Sequence, residues 1–223
     1  MQRNERTDKT MKDKNVIELK DLKALTKSVT VTIEGDGDLV LNKMNARNTR
    51  ELSADDRNTS KEVPNPWEDI ITAIHWRDKL PTDDTYADCS EEMMSDLLQN
   101  NAPCFTAFGL KKSFGDAVVR NGIDTYKTKF DVAMNVVADK GLVPITFAEW
   151  SLDERLMSPK KGKPVLVRLN HFGGWRATFR IDYSENVYTL NEIIHIINLA
   201  GFGLGIGSGR TSGYGRYHVV NVQ

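Results

Sequence analysis

The residue types with the clearest potential for binding chemistry lie near the C-terminus, in a segment crowded with glycine. Seven of the 16 glycines fall within residues 201–215. Ordering a glycine costs up to ~1 kcal/mol relative to alanine in regular structure, so this density indicates unusual dihedral angles or a very close approach by another group. Amides of such a loop can bind phosphates, and the interleaved Arg210, Tyr214 and Arg216 add charge and stacking surface. The loop therefore predicts contacts to single-stranded nucleic acid. The alternative is that its glycines serve only to pack a helix against a strand.

Candidates for catalysis are few. His171, expected in a loop beside the basic segment 159–164, could act as a general base for attack by a ribose 2′-hydroxyl. His75, in a segment expected to be helical, is a second candidate, and Asp38 is a third, although acidic residues in a Gly-rich turn more often form the turn itself. His195 lies on an apolar helix and is expected in the core.

No motif of a known enzyme class accompanies these residues. The sequence holds no HExxH, GxSxG or P-loop motif and no Cys/His cluster. The Gly-rich segment follows a helix rather than opening one, which excludes a dinucleotide-binding fingerprint. The sequence therefore favours a protein without catalysis, metal or cofactor, and a metal-independent RNA endonuclease is an alternative.

The composition is that of a globular protein with an uneven charge distribution. The chain has 223 residues, 39% of them hydrophobic, and a formal net charge of −1. Residues 151–223 carry 9 Lys and Arg against 5 Asp and Glu, whereas the rest carries 21 against 26. A basic C-terminal third on a neutral chain suits a local anionic partner better than a general one.

Cysteine usage and hydropathy indicate a cytoplasmic protein. Cys89 and Cys104 stand alone, without a CxxC pair, and are expected to be free thiols in a reducing compartment. No apolar run approaches the ~18–20 residues that span a bilayer. The polar residues 1–15 lack the apolar core of a signal peptide.

Periodicity and capping signals predict the elements that position these residues. Residues 1–15 are expected to form a flexible arm, and residues 16–223 one domain with a loop and helical insertion around 42–100. Period-2 alternation predicts strands, and 3.6-residue periodicity with caps predicts helices. The expected strands are 28–34, 129–137, 142–147, 164–169, 175–183 and 216–222, with a turn or loop at 171–174. The expected helices start at Pro66, Glu91, Thr106 and Thr189, the last with a capping box to Glu192.

Three segments resemble elements of the RAMP superfamily, the RNA-binding repeat subunits and processing endonucleases of CRISPR systems. GIGSGRTSGYGRYHV at 205–219 resembles the family's C-terminal Gly-rich loop. PCFTAFGLKKSF at 103–114 resembles the helix-start element whose lysine lies along the guide RNA in backbone subunits, and VTIEGDGDLVLNKM at 31–44 resembles the first strand and the loop after it. The layout is also similar to that of small RAMP-like proteins from phage genomes. Cys104 and Phe105 depart from the small residues of the second element, and an acidic middle replaces the family's broader basic surface.

The resemblance implies an α+β fold with an RRM/ferredoxin-like antiparallel sheet, helices on one face, long insertion loops and the C-terminal Gly-rich loop. It also implies a non-catalytic binder of single-stranded RNA or DNA, which forms a helical or filamentous homo-oligomer along the strand, with no membrane partner. The expected contact residues are Lys111, Lys112, Arg176, Arg180, Gly207, Gly209, Arg210, Tyr214 and Arg216. The alternative from another class is a viral protein–protein module, active in the host cytoplasm, that mimics or inhibits a CRISPR complex.

Overall fold

The computed structural model describes residues 26–53, 65–83, 85–157 and 164–223, apart from the side chains of Met157 and Val165. Within these ranges, no helix has the length and apolar character that a membrane crossing needs. The strands are β1 (Thr26–Gly35), β2 (Leu39–Leu41), β3 (His75–Trp76), β4 (Pro103–Thr106), β5 (Met134–Val137), β6 (Leu142–Thr146), β7 (Glu149–Met157), β8 (Val165–Gly173), β9 (Arg176–Ser184) and β10 (Tyr217–Val222). The helices are α1 (Ala46–Ser53), α2 (Pro66–Thr72), α3 (Glu91–Asn100), α4 (Ala107–Arg120), α5 (Thr128–Ala133) and α6 (Leu190–Gly203).

The main sheet has ferredoxin-like topology. β1 pairs with β10 on one side and with β9 on the other, and β9 pairs with β5 along one half and with β6 at its start, all antiparallel. In chain order, β1, α4, β5, β9, α6 and β10 form a βαββαβ unit whose strands lie in the order β10, β1, β9, β5. This confirms the predicted α+β fold with an antiparallel RRM/ferredoxin-like sheet.

Alternation of side chains along β1 and β9 places the core on one face of this sheet. Val31 and Ile33 of β1 are fully buried, and so is Ile181 of β9. Phe179 stacks on Phe114 of α4 with ring centroids 6.2 Å apart, so the helices cover this face. The opposite face carries polar side chains, among them Thr32, which bonds to its cross-strand neighbour on β9.

A second sheet, ordered β2–β8–β7, packs beside the main sheet and is also antiparallel. Phe172 of β8 is fully buried and makes an edge contact with Phe147 at a centroid distance of 5.1 Å. Asn170 accepts a hydrogen bond from Trp150 Nε1 and donates one to the carbonyl oxygen of Ile70 in α2. These contacts fix the β7–β8 hairpin and α2 in one unit.

Local capping explains where the helices begin. Asn65 caps α2 by accepting from the Trp67 amide, and Thr106 caps α4 by accepting from the Gly109 amide. The predicted capping box between Thr189 and Glu192 is present at the start of α6.

Several sequence-based expectations differ from the structure. His171 lies inside β8 rather than in a loop, and His75 lies on the short strand β3, because the helix that starts at Pro66 ends at Thr72. The segment 129–137, which was expected to be one strand, divides into α5 and β5. The predicted arm at 1–15 and the lysines at 160, 161 and 163 lie outside the described residues. The division into an arm and one domain over 16–223 stays a prediction.

Candidate nucleic-acid interface

The Gly-rich loop after α6 is anchored to the turn between β1 and β2. The Ser208 amide donates to the Val40 carbonyl oxygen at 2.8 Å, and the Gly215 amide donates to Asp38 O at 2.8 Å. The Ile206 amide donates across the loop to Gly215 O at 2.9 Å. The expectation that the loop's amides are available to phosphates therefore does not hold for these three.

Close backbone contacts account for several of the glycines. A Cβ on Gly207 would lie 2.5 Å from the Val40 carbonyl oxygen, and one on Gly201 would overlap the Tyr217 carbonyl oxygen. Gly209 and Gly213, with φ values of 68° and 91°, lie at the exposed tip instead. Helix-to-strand packing thus explains the base of the loop, and left-handed turns explain its tip.

A cavity of about 180 Å³ lies beside the base of the loop. It is bounded by the end of β2, by β3, by β4 and by the loop itself. We call it the Gly-loop groove, and its lining residues are Leu41, Asn42, Lys43, Ala73, His75, Cys104, Phe105, Thr106, Gly207 and Ser208. None of these ten residues is acidic, although the chain has 31 Asp and Glu.

Lys43, His75 and Cys104 set the electrostatics of the groove. The Lys43 side chain is exposed, but surrounding protein removes part of the water around its ammonium group. This partial desolvation lowers the pKa of Lys43. Burial, and then the charge of Lys43, lower the pKa of His75, so this imidazole is neutral at pH 7. Burial raises the pKa of the Cys104 thiol to about 11, which keeps it protonated. The groove therefore combines one cation with a neutral base and contains no anion of its own.

His171 occupies a separate, buried position between two carboxylates. Its Nδ1 lies 3.4 Å from Asp38 Oδ2, and its Nε2 lies 3.6 Å from Asp153 Oδ2. Tyr214 of the Gly-rich loop packs edge-on against the imidazole at a centroid distance of 5.0 Å. With 6% of its surface exposed, His171 joins the β1–β2 turn, β7 and the loop, and it is less accessible to solvent than the half-buried His75.

The predicted cationic contacts outside the loop are partly occupied by the protein itself. Lys111 Nζ donates to the carbonyl oxygen of Asp131 and to Asn135 Oδ1, whereas Lys112 is exposed. On the polar face of the sheet, Arg176 pairs with Glu34 at 2.5 Å and Arg180 with Asp182 at 3.2 Å.

The loop residues take three different positions. Arg210 is exposed at the tip, Arg216 is half-buried and Tyr214 contacts His171. Of the nine predicted contact residues, all within the described ranges, Gly207 alone lines the Gly-loop groove. A role of all nine in nucleic-acid binding stays a prediction.

Lys43, Thr106 and Ser208 are groove residues that the sequence-based list did not contain. A usable signal was present for each, because all three lie within the segments that carry the RAMP resemblance. Their convergence depends on contacts between residues more than 60 positions apart, which periodicity does not reveal. Within the described ranges, no group of three or more His, Cys, Asp or Glu is arranged to hold a metal ion.

The fold and the groove define an α+β protein with a ferredoxin-like sheet and a cavity beside its Gly-rich loop. No family model matches the chain, and no curated protein matches it either. Among the solved structures that it resembles, two cover most of this chain. One is a cryo-EM structure of the Type III-B Cmr-beta bound to cognate target RNA, with a TM-score of 0.48 and 13% identity over 92% of this chain and 63% of that chain. The other is a crystal structure of Cmr6 from Pyrococcus furiosus, with a TM-score of 0.39 and 10% identity over 87% of this chain and 99% of that chain.

Both likenesses are at low sequence identity and extend over most of this chain. This chain spans 63% of the length of the Cmr-beta chain that it matches.

Proposed function

We propose that this protein binds single-stranded nucleic acid, RNA or DNA, along the Gly-loop groove. The observation that carries the proposal is the composition of the groove. It offers the Lys43 ammonium, the His75 imidazole and the hydroxyl of Ser208, and no carboxylate lines it. A polyanion is attracted to such a surface even on a chain whose net charge is −1, because the potential near a surface follows the local charges.

The residues next to the groove extend the same surface. Arg210 stands exposed at the tip of the loop, and Lys112 is exposed on α4, which starts at the edge of the groove. In this proposal, a strand that lies in the groove continues toward both side chains. Arg176 and Arg180 contribute less in this scheme, because neither lines the groove.

Fluorescence anisotropy with a labelled RNA and a DNA of the same sequence tests the proposal over a salt series. Affinity is expected to fall with salt, since binding releases counterions from phosphates. Lys43→Ala and Arg210→Ala are each expected to weaken binding and to reduce the slope of log K against log salt by about 0.7. Arg120→Ala, an exposed cation at the far end of α4, serves as the matched control. A salt-independent affinity, or equal losses in all three variants, would contradict the proposal.

A second candidate function is metal-independent RNA cleavage, and the position of His75 favours it. The imidazole is neutral at pH 7, lies in the groove and has the Lys43 ammonium nearby to stabilise a pentacovalent phosphate. His75 would accept the proton of a 2′-hydroxyl that attacks the adjacent phosphorus. The P–O5′ bond then breaks, which leaves a 2′,3′-cyclic phosphate, and the departing 5′-oxygen takes a proton from water. Cleavage of RNA but not DNA in EDTA, lost in His75→Ala and kept in His171→Ala, would establish this activity; intact RNA after prolonged incubation would exclude it.

Oligomerisation is a further part of the proposal. Phe108 on α4 and Phe202 on α6 are each 77% exposed, and both belong to the helix layer of the ferredoxin-like unit. Burying such side chains favours association with a second copy along a bound strand. Light scattering with and without an oligonucleotide is expected to show larger assemblies in its presence, and the double variant Phe108→Ser/Phe202→Ser should remain smaller. A protein partner that survives nuclease treatment would instead support the protein–protein alternative.

A further inference from the structure

A break in the main sheet creates a second cavity, away from the Gly-rich loop. β5 pairs with β9 as far as Val137 opposite Arg180, and β6 begins its pairing at Ile145 opposite Ala177. Residues 138–141 connect β5 to β6, and Leu142, Val143 and Pro144 of β6 pair with β4 but not with β9 in the described register. Within the described register, Thr178 and Phe179 are paired with β1 but with no strand on this side.

A cavity of about 260 Å³ fills this break, and we call it the β9 notch. Its cationic rim consists of Arg77, Lys140 and Arg180, and its walls include Val137, Pro144 and Thr178. Asp139 is the one acidic residue in the lining. The notch shares no lining residue with the Gly-loop groove.

The rim cations are able to exchange partners. Arg77 pairs with Asp78, and Arg180 pairs with Asp182; both arginines and Asp78 are more than half exposed, and Asp182 is partly exposed. Exposed pairs of this kind contribute little to stability, so a phosphate, which arginine can bind in a bidentate manner, is able to compete with them. Lys140 is exposed and forms no salt bridge with any described residue.

The backbone at Lys140 also indicates a constrained position. Its φ of 50° lies in the left-handed region, which is uncommon for a residue with a side chain and tends to occur where function requires it. The turn at Asp139–Gly141 thereby fixes the start of the Lys140 side chain at the mouth of the notch.

The walls of the notch suit a flat, partly apolar group. Val137 and Pro144 offer apolar surface to one side of a ring. Successive strand residues direct their N–H and C=O to opposite sides, so one of Thr178 and Phe179 offers its backbone groups to the side of β9 that β5 and β6 leave uncovered, where the edge of the ring would lie. A nucleobase has both features, a face that stacks and an edge that hydrogen-bonds.

We infer that the β9 notch binds one nucleotide, with its base against the apolar wall and β9 backbone and its phosphate on Arg77, Lys140 and Arg180. The nucleotide can come from two sources, a free mononucleotide or one unit of a bound strand. The second source rests on the proposed function. One bound strand could enter both cavities, because they lie on neighbouring β-strands: Pro144 of the notch is directly paired with Cys104 of the Gly-loop groove.

Titration of the purified full-length protein with AMP, UMP, GMP and CMP tests the inference. Calorimetry measures the binding, and the amide NMR shifts of Thr178 and Phe179 report its location. At least one mononucleotide is expected to bind saturably and to shift both amides. Lys140→Ala and Arg180→Ala, both at exposed positions, are each expected to weaken binding about tenfold, since each removes a charged hydrogen-bond donor to phosphate. Arg120→Ala is the matched control and should bind as the unmodified protein does.

Adenosine and inorganic phosphate separate the two halves of the site. Each is expected to bind more weakly than AMP; phosphate that binds as tightly as the nucleotides would overturn the role given to the base. Absence of binding by all four mononucleotides at millimolar concentration, together with oligonucleotide binding that Lys140→Ala and Arg180→Ala leave unchanged, would overturn the inference.

The oligonucleotide-binding experiment distinguishes failure of this inference from failure of the proposed function. If oligonucleotides bind and respond to Lys43→Ala but not to the notch variants, the groove is supported and the notch is not. If mononucleotides bind and shift Thr178 while oligonucleotides do not bind, the notch stands and the proposed strand binding fails.

Discussion

Replacement of Gly215 by alanine tests whether the base of the Gly-rich loop is held by backbone packing. Gly215 has φ of 69°, a conformation that side chains rarely adopt. Its amide donates to Asp38 O, and its carbonyl oxygen accepts from the Ile206 amide. A Cβ at this position would overlap the Ile206 carbonyl oxygen, which is backbone and cannot rotate away. The substitution therefore strains the residue and separates the two sides of the loop.

The expected cost follows from these contacts. The left-handed conformation costs an L-residue about 1–2 kcal/mol, and each of the two backbone hydrogen bonds contributes about 1 kcal/mol net. Gly215→Ala should therefore lower the free energy of unfolding by about 3–4 kcal/mol if the loop opens to relieve the overlap. For a chain of this length, that corresponds to a fall in Tm of about 10 °C.

Urea denaturation followed by tryptophan fluorescence measures the effect, with Gly213→Ala as the matched control. Gly213 also has positive φ, at 91°, but a Cβ there would meet no atom within 4 Å. It should therefore cost only the strain of about 1–2 kcal/mol. Equal destabilisation by the two substitutions would refute the described packing, because strain alone would then account for both.

Three further predictions concern residues in or near the groove. Thr106→Ala removes the cap of α4, which accepts from the Gly109 amide at 3.1 Å, and should destabilise the protein by about 1 kcal/mol in thermal unfolding, whereas Thr106→Ser should restore most of the loss. Cys89 and Cys104 are buried, and burial raises the pKa of each thiol to about 11. Neither should therefore react with a disulfide reagent at pH 8 until the protein is unfolded. Fast modification of the folded protein would contradict their burial. Burial lowers the pKa of His75 from 6.5, so the unfolded chain takes up this proton before the folded protein does as the pH falls. The free energy of unfolding should therefore decrease below about pH 6.5. Denaturant titrations at successive pH values should show a smaller decrease in His75→Gln.

Much of the ferredoxin-like core could be predicted because its elements carry local signals. Val29, Val31 and Ile33 alternate with polar residues, and the structure buries all three in β1. The capping box at Thr189 set the start of α6 correctly. Where two elements follow each other without a turn signal, as at the junction of α5 and β5 after Ala133, apolar periodicity did not separate them.

The second sheet and the positions of the histidines were harder to predict. The sequence around His171 contains two consecutive glycines, which usually indicate a turn. In the structure, Gly173 ends β8, and Gly174, with φ of 58°, and Trp175 form the connection to β9. His75 follows an amphipathic helix that ends three residues earlier. In both cases a neighbouring strand determines the conformation, and the partners are β2 and β7 for His171 and β4 for His75.

The glycine content of the C-terminal loop indicated where in the chain a special segment lies, but not which groups its glycines contact. A glycine is required equally where another backbone comes close, as at Gly207 against Val40, and where the chain turns through positive φ in solvent, as at Gly213. The sequence contains the same letter in both cases. Only the glycines that pack against another backbone hold the loop against β2 and the β1–β2 turn, and this contact brings Ser208 next to Lys43 and His75. These glycines therefore determine the shape of the groove. If a ligand lies there, the side chains of the groove must recognise it, because the Ser208 and Gly215 amides already donate to the protein.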